Sequence, residues 1–320
     1  MTNDLNGSRV LVTGAAGMVG SAIVQTLLTR GADVRAHAGP SGTDLAALPG
    51  GVPVSFAEIT DANAVGRIVA EAEAVVHLAG PASVAESFSK PGLYARAHVV
   101  GTASVIDACR AADVRTLVHI SSAEVYGQPH ANPVAEEAPT DPRSPYGAVK
   151  LAAEAMARSC CPAAGIAAIV LRPFSVYGQR SPERSLVGRL ARAAVGESAL
   201  RVAALRPVRD YVHVDDLSVA VATALANLLA TGPAAAVPVF NVGSGVGTSV
   251  HEMATLVLEV AGRSAPIEEM STPDRPARQD VTHLVADIDR ARSQLGWVPA
   301  VPLRQGLADL VEAVRRGGRT

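Results

Sequence analysis

Arg9-Val10-Leu11-Val12-Thr13-Gly14-Ala15-Ala16-Gly17-Met18-Val19-Gly20 is the stretch whose reading decides the fold. Its first five residues are an apolar run that predicts a short strand. Three spaced glycines follow, then an amphipathic segment from Ser21 to Arg30 that predicts a helix ending at Gly31. Ala32 to His37 predicts the next strand. Strand, Gly-rich turn, helix and strand in that order are the context a dinucleotide-binding fingerprint needs. The glycines permit a tight turn and let backbone N–H groups approach a pyrophosphate at the helix N-terminus. A plain tight turn between strand and helix is the competing reading.

Outward from this unit the alternation continues. Val52 to Phe56, Ala74 to Gly80 and Thr116 to Ile120 predict strands, and a helix from about Leu93 to Ala112 carries His98. Strands alternating with helices imply a parallel sheet with right-handed crossovers. The residue that reads an adenosine ribose is expected after the second strand, an acid favouring NAD and a nearby Arg NADP. Here the stretch is His37-Ala-Gly-Pro-Ser41-Gly-Thr43, with no acid before Asp44. Ser41 or Thr43 could donate to a 2′-phosphate, so the cofactor reading leans to NADP while NAD stays open. Glu58, after the third strand, is either an adenine acceptor or a solvated loop acid.

Chemistry concentrates between Ser121 and Lys150. Ser122 and Glu124 follow the Thr116–Ile120 strand, at the carboxyl end where open α/β sheets bind ligands. Tyr146 to Ser159 predicts an Ala-rich helix, and Tyr146 and Lys150, four apart, share one of its faces. A nearby ammonium favours a phenolate, so Lys150 is expected to bring Tyr146 towards a general base. Lys90 and Lys150 are the only lysines among 28 basic residues. Lysine is a compact charge that arginine does not replace.

The rest of the chain and its bulk properties narrow the classes. Ile166 to Arg172 and Val237 to Val242 predict further strands, Ser249 a helix cap, and Leu303 to Arg315 a final helix. Between Gln179 and Pro207 the alternation breaks down, which predicts a second, smaller lobe. Apolar content of 48% and a net charge of −2 describe an ordinary globule with no reason to seek nucleic acid or a membrane surface as partner. Three cysteines show neither a disulfide framework nor metal-ligand spacing, and a reducing cytoplasm is the expected compartment.

Together these residues resemble the extended short-chain dehydrogenase/reductase family, the group acting on nucleotide sugars. The resemblance covers nearly the whole chain. It rests on Gly14/Gly17/Gly20, His77-Leu-Ala-Gly80, Ser121–Gly127, Tyr146/Lys150, Arg172-Pro-Phe-Ser-Val-Tyr-Gly178, Arg209-Asp-Tyr-Val-His-Val-Asp-Asp216 and Asn241-Val-Gly-Ser-Gly245. It implies an α/β fold, a Rossmann-type doubly wound sheet over residues 1–174 and 209–243, with a nucleotide-sugar lobe formed by 175–208 and 244–320. NAD(P) would lie against Gly14, Gly17, Met18, Val19, Gly20, Glu58, Ile59, Leu78, Ala79, Gly80, Tyr146, Lys150 and Pro173. Tyr146 would take the sugar C4 hydroxyl proton, Lys150 would bond the nicotinamide ribose, and Ser122 would bond the C4 oxygen. Ser175, Arg209 and Arg278 would complete the substrate contacts, the arginines on the diphosphate.

Departures from the family pattern set the subclass. Ala123 replaces the Asp that dehydratases pair with the following Glu, here Glu124, so acid–base work beyond C4 is permitted but not demanded. Ser175 stands for a usual Asn, and His98 stands where the family commonly has an Asn; a satisfied core histidine is the plainer reading of His98. An epimerase or dehydratase comes first, an NADPH-dependent 4-ketoreductase second, and a non-catalytic NAD(P)-binding regulatory protein is the reading from another class. A homodimer through the Ala/Val-rich helices at 93–112 and 146–160 is also expected.

Overall fold

Apolar β-branched runs separated by amphipathic helices can bury both faces of a sheet, and that is what the first half of the chain builds. The computed structural model describes residues 5–40, 45–196, 199–270 and 281–317; Ser41, Thr43 and Arg278 lie outside the described residues. In order, the elements are β1 (Arg9–Thr13), α1 (Met18–Thr29), β2 (Asp33–Ala38), β3 (Val54–Phe56), α2 (Ala62–Val69) and β4 (Ala74–His77). Then come α3 (Val84–Ser89), α4 (Pro91–Ala95), α5 (Gly101–Ala111), β5 (Thr116–Ile120), α6 (Pro145–Ala163) and β6 (Ala167–Pro173). The first helix begins three residues earlier than its apolar pattern suggests, because Gly17 takes an extended conformation and serves as its N-cap. A single π turn, Arg96–Val100, joins α4 to α5, so the expected helix around His98 is one path with a widened turn at that residue.

The second half adds β7 (Ser175–Tyr177), α7 (Leu186–Val195), β8 (Leu200–Val202), β9 (Val208–His213), α8 (Val214–Thr231) and β10 (Val239–Val242). It ends with β11 (Gly247–Ser249), α9 (Val250–Val260), β12 (Ile267–Glu269), β13 (His283–Leu284) and α10 (Leu303–Gly317). Seven strands form one parallel sheet in the order β10-β6-β5-β4-β1-β2-β3. The chain reverses direction across the sheet between β1 and β4, and this switch point is where such folds leave a ligand crevice.

Side chains alternate between two cores. Val10, Val12, Val118 and Ile120 face α1 and α8, with Ile23, Leu27, Leu217 and Leu225 packed against them. Leu11, Val75 and Leu117 face the other way, against Val65 and Val69 of α2, Val105 of α5 and Ala157 of α6. By length and composition α8 could cross a membrane, yet ten of its residues are buried and it lies in the α1-side core. A third core, with Leu190, Val257 and Leu310, joins α7, α9 and α10.

Residues 209–213 sit differently from the simple division into 1–174 plus 209–243. They belong to β9, which pairs with β7, β11 and β13 in a separate four-stranded sheet. Conversely, Ala291, Leu295 and Trp297 pack into the α1-side core, and the Trp297 indole donates to the Asp216 carbonyl at 2.9 Å. The first turn of α8 therefore ties these C-terminal segments to the large sheet's core, since Asp216 also accepts from the Ala300 and Val301 amides.

Asp210 does the same inside the small sheet. Its buried carboxylate accepts from Ser244 N at 2.6 Å, Ser244 Oγ at 2.7 Å, Gly245 N at 2.9 Å and Ala286 N at 3.1 Å. Asp210→Ala leaves these donors without their acceptor, so it should cost about 3 kcal/mol or more. Thermal unfolding should show a midpoint lower by several degrees, with Asp210→Asn recovering part of the loss.

Candidate active site

The three glycines of the first turn have different physical jobs. Gly14 has φ +71°, and a Cβ there would lie 2.9 Å from Ala79 Cα; one on Gly20 would lie 2.3 Å from the Gly14 carbonyl oxygen. These two are packing glycines that seat α1 on β1 and the turn on the exit of β4. Gly17 is open: a Cβ would meet only the Gly14 carbonyl oxygen at 3.5 Å. It caps α1 with no side-chain hydrogen bond, and the first turn of α1 carries no acid. A helix start with neither a side-chain cap nor a carboxylate, behind an open approach, fits an anionic pyrophosphate. The residues present therefore fit a dinucleotide.

A hydroxyl fixes the opposite wall. Thr13 Oγ1 accepts from the Leu78 and Ala79 amides at 3.2 and 3.3 Å, so its proton goes to His77 Nδ1 at 2.8 Å. His77 Nε2 must then carry the ring proton, which it donates to Thr102 Oγ1 at 3.0 Å. Burial pushes His77 down to about 3, so it stays neutral and structural.

Met18, Val19, Leu78, Gly80, Ser122, Glu124, Tyr146, Lys150, Pro173, Ser175 and Arg209 all line one cleft of about 600 Å³ at the carboxyl ends of the strands. Ser122 begins the short 3₁₀ turn Ala123–Val125, its Oγ accepting from the Glu124 amide at 3.2 Å. Ser144 caps α6, with Pro145 at its first position, and the Tyr146 amide donates to Ser87 Oγ at 3.1 Å. The Tyr146 ring meets His98 edge-on at 5.7 Å and Tyr94 at 6.3 Å between centroids. His98 Nε2–H donates to the Pro81 carbonyl at 2.9 Å, and its ring fills the space that a side chain on Gly80 would need.

The electrostatics depart from the simple expectation for Tyr146. Burial raises its phenol above the ordinary range, a hydrogen bond with Ser122 opposes this, and the Glu124 and Tyr94 charges add to it. Lys150 is not among the groups acting on it. Spacing of four residues puts both side chains on one face of α6, but the Lys150 amine turns to the strand end and donates to the Ile120 carbonyl at 2.5 Å. Burial brings Lys150 itself down to about 8, against the pull of the Glu154 carboxylate. Around it, His77 and His98 are lowered to about 3 and His119 well below its usual value, each mainly by burial and next by the Lys150 charge.

Other expected cofactor residues serve from behind or stand apart. Ala79 is buried, Ile59 lies in the core against the position a Gly101 side chain would take, and Glu58 is exposed on its loop. Sequence reading passed over three residues near the cleft. Ser87 holds the start of α6. Arg189 of α7 and Tyr211 of β9 line the opposite wall of the cleft with Nε and the hydroxyl buried and unbonded. Nothing in local spacing marks them; only the packing of the lobe brings them to the cleft. Among the described residues no cluster of His, Cys, Asp and Glu could hold a metal ion.

Residues 10–243 match the NAD dependent epimerase/dehydratase family. A UDP-glucose 4-epimerase of Mycolicibacterium smegmatis is 36% identical, over 96% of this chain and 98% of its own. The UDP-glucose 4-epimerase of Thermus thermophilus, solved in complex with NAD, superposes with a TM-score of 0.84 at 30% identity, covering 96% of this chain and 99% of that one. That of Thermotoga maritima, solved with UDP-glucose, gives 0.84 at 29% identity, covering 97% and 99%. The chain belongs to this family, and with it to the NAD(P)-dependent nucleotide-sugar epimerases and dehydratases that its motifs resemble.

Lys150 offers a check by pH. Its folded value near 8 lies below the unfolded 10.5, so burying the charge opposes folding at and below pH 8 and ceases to do so as pH rises towards 10.5. That difference is worth roughly 3 kcal/mol. Lys150→Met should therefore raise the melting temperature by a few degrees at pH 7, and the gain should shrink by pH 10. A gain that does not change with pH would contradict the burial cost.

Proposed function

We propose that the chain is a UDP-hexose 4-epimerase interconverting UDP-glucose and its C4 epimer, with NAD as resident cofactor. The observation that carries this is the convergence of the Ser122 hydroxyl, the Tyr146 phenol and the Lys150 amine on one cleft beside an uncapped helix start. The named relatives support the choice of UDP-glucose and of C4. The NAD of the Thermus structure favours NAD over the NADP reading of the second strand's exit.

When bound in its oxidised form, NAD would supply the acceptor for the C4 hydride and give it back to the same carbon. Tyr146 takes the C4 hydroxyl proton and returns it after the sugar has presented its other face. Ser122, whose hydroxyl favours the Tyr146 phenolate, holds the C4 oxygen in line with that proton. Lys150, anchored on the Ile120 carbonyl, would bond the nicotinamide ribose. Arg209, on the substrate-lobe wall, grips the diphosphate; a guanidinium fork suits its paired oxygens. Arg278 is assigned the same task. Glu124, half-buried across from Tyr146, gives a second proton-transfer group without the neighbouring acid that an elimination would use.

We also infer two lobes meeting at the junction of β9 and α8, and a homodimer through the helices at 93–112 and 146–160. Leu93 and Val100 support the dimer, standing 44% and 47% exposed on the outer side of the helix path through His98. Three free thiols support a cytoplasmic setting. In solution, light scattering should give twice the chain mass.

Tyr146→Phe should lower UDP-galactose formation from UDP-glucose by about a thousandfold while bound NAD is retained. Proton NMR of the sugar C4 position follows the reaction. Steady NADPH consumption on a 4-keto sugar, with no epimerisation, would instead establish the ketoreductase reading.

A further inference from the structure

Helix α6 carries a single acid, Glu154, two turns beyond Tyr146 and one beyond Lys150, and it is fully buried. Its carboxylate takes the Arg172 fork, Nε to Oε2 at 3.0 Å and Nη2 to Oε1 at 2.6 Å. Ser121 Oγ donates to Oε2 at 2.9 Å, and half-exposed Arg158 approaches Oε1 at 3.7 Å from outside. The remaining Arg172 nitrogen donates to the Tyr126 hydroxyl at 2.8 Å and the Glu136 carbonyl at 3.1 Å.

Stability does not account for this arrangement. Two charges taken out of water lose much of what their attraction returns, and apolar residues of like volume often serve as well. The location is informative. Ser121 adjoins Ser122 after β5, and Arg172 adjoins Pro173 at the end of β6; both strand ends border the cleft. Glu154 thus connects the helix bearing Tyr146 and Lys150 to the two strand ends that face them.

We propose that Glu154 is a positioning residue: held by Arg172 and Ser121, it sets the Tyr146–Lys150 face of α6 against the strand ends and keeps a carboxylate one turn below the Lys150 amine. The role rests on the epimerase reading for its chemistry but not for its test. The groups facing Lys150 from the packed elements are His77 on β4, His98 in the π turn and His119 on β5, all neutral, with Tyr146 on its own helix. Glu154 is therefore the negative charge that opposes the desolvation of Lys150.

With two lysines in the chain, carbon-13 labelling at lysine Cε gives two NMR signals, one of them from exposed Lys90. In Glu154→Gln the Lys150 titration midpoint should fall by about one pH unit. Turnover of UDP-glucose should drop at least about tenfold, with KM held within about twofold. Glu154→Leu/Arg172→Met, an apolar exchange, serves if the single variant does not fold; it should fold and show the same two losses. Either quantity unchanged in a folded variant overturns the proposal. Were the wild type inactive on every UDP-hexose, the epimerase reading would fall and the Lys150 titration would still decide this one.

Discussion

An ammonium buried at the end of a parallel sheet is costly, and much of the molecule is arranged around that one charge. Lys150 finds the Ile120 carbonyl at the end of β5, a carboxylate one turn along its own helix, and three imidazoles kept neutral by burial. The carboxylate in turn requires the Arg172 fork, and Arg172 requires the Tyr126 hydroxyl, which donates onward to Asn241 at 2.7 Å. Asn241 donates to carbonyls of Val134 and Asp287. One charge at the cleft thus draws a chain of buried polar partners from the large sheet into the segments that carry the second lobe.

Such a chain satisfies most of the buried polar groups along the strand ends that border the cleft. Every donor from Ser121 to Asn241 in this chain is matched, while His119 on β5 keeps both ring nitrogens buried without partners. On the wall formed by α7 and β9, the Arg189 Nε and the Tyr211 hydroxyl are likewise buried without partners. Unpartnered buried polar groups are uncommon in folded proteins, and the two that line the cleft itself, on Arg189 and Tyr211, are free to bond a ligand there.

Much of this was legible in the sequence where the signal is local. The Arg9–Gly20 unit, the strand ending at Ile120 and the helix bearing Tyr146 and Lys150 each announce themselves through periodicity, glycine placement or capping residues. The partnership of Glu154 with Arg172 does not, because no spacing rule links an acid on a helix to a base on a strand that pairs only after folding. The Tyr146–Lys150 relation was half legible. Spacing of four residues fixes neighbouring Cβ positions, whereas a four-carbon stem chooses its own direction, here towards a carbonyl. The membership of β9 in the small sheet was likewise hidden, since its partners β7, β11 and β13 are short and scattered along the chain.

The pairing of α1 with α8 has a consequence for how the protein is made. The apolar face of the first helix is complete early in synthesis, but the helix that covers it ends at Thr231. Until then Ile23, Val24 and Leu27 have no native cover on that side, and the emerging chain exposes a greasy stripe to solvent. Long-range closure of this kind is slow. Order of synthesis thus leaves the N-terminal half of the sheet half-covered until the chain has passed residue 231.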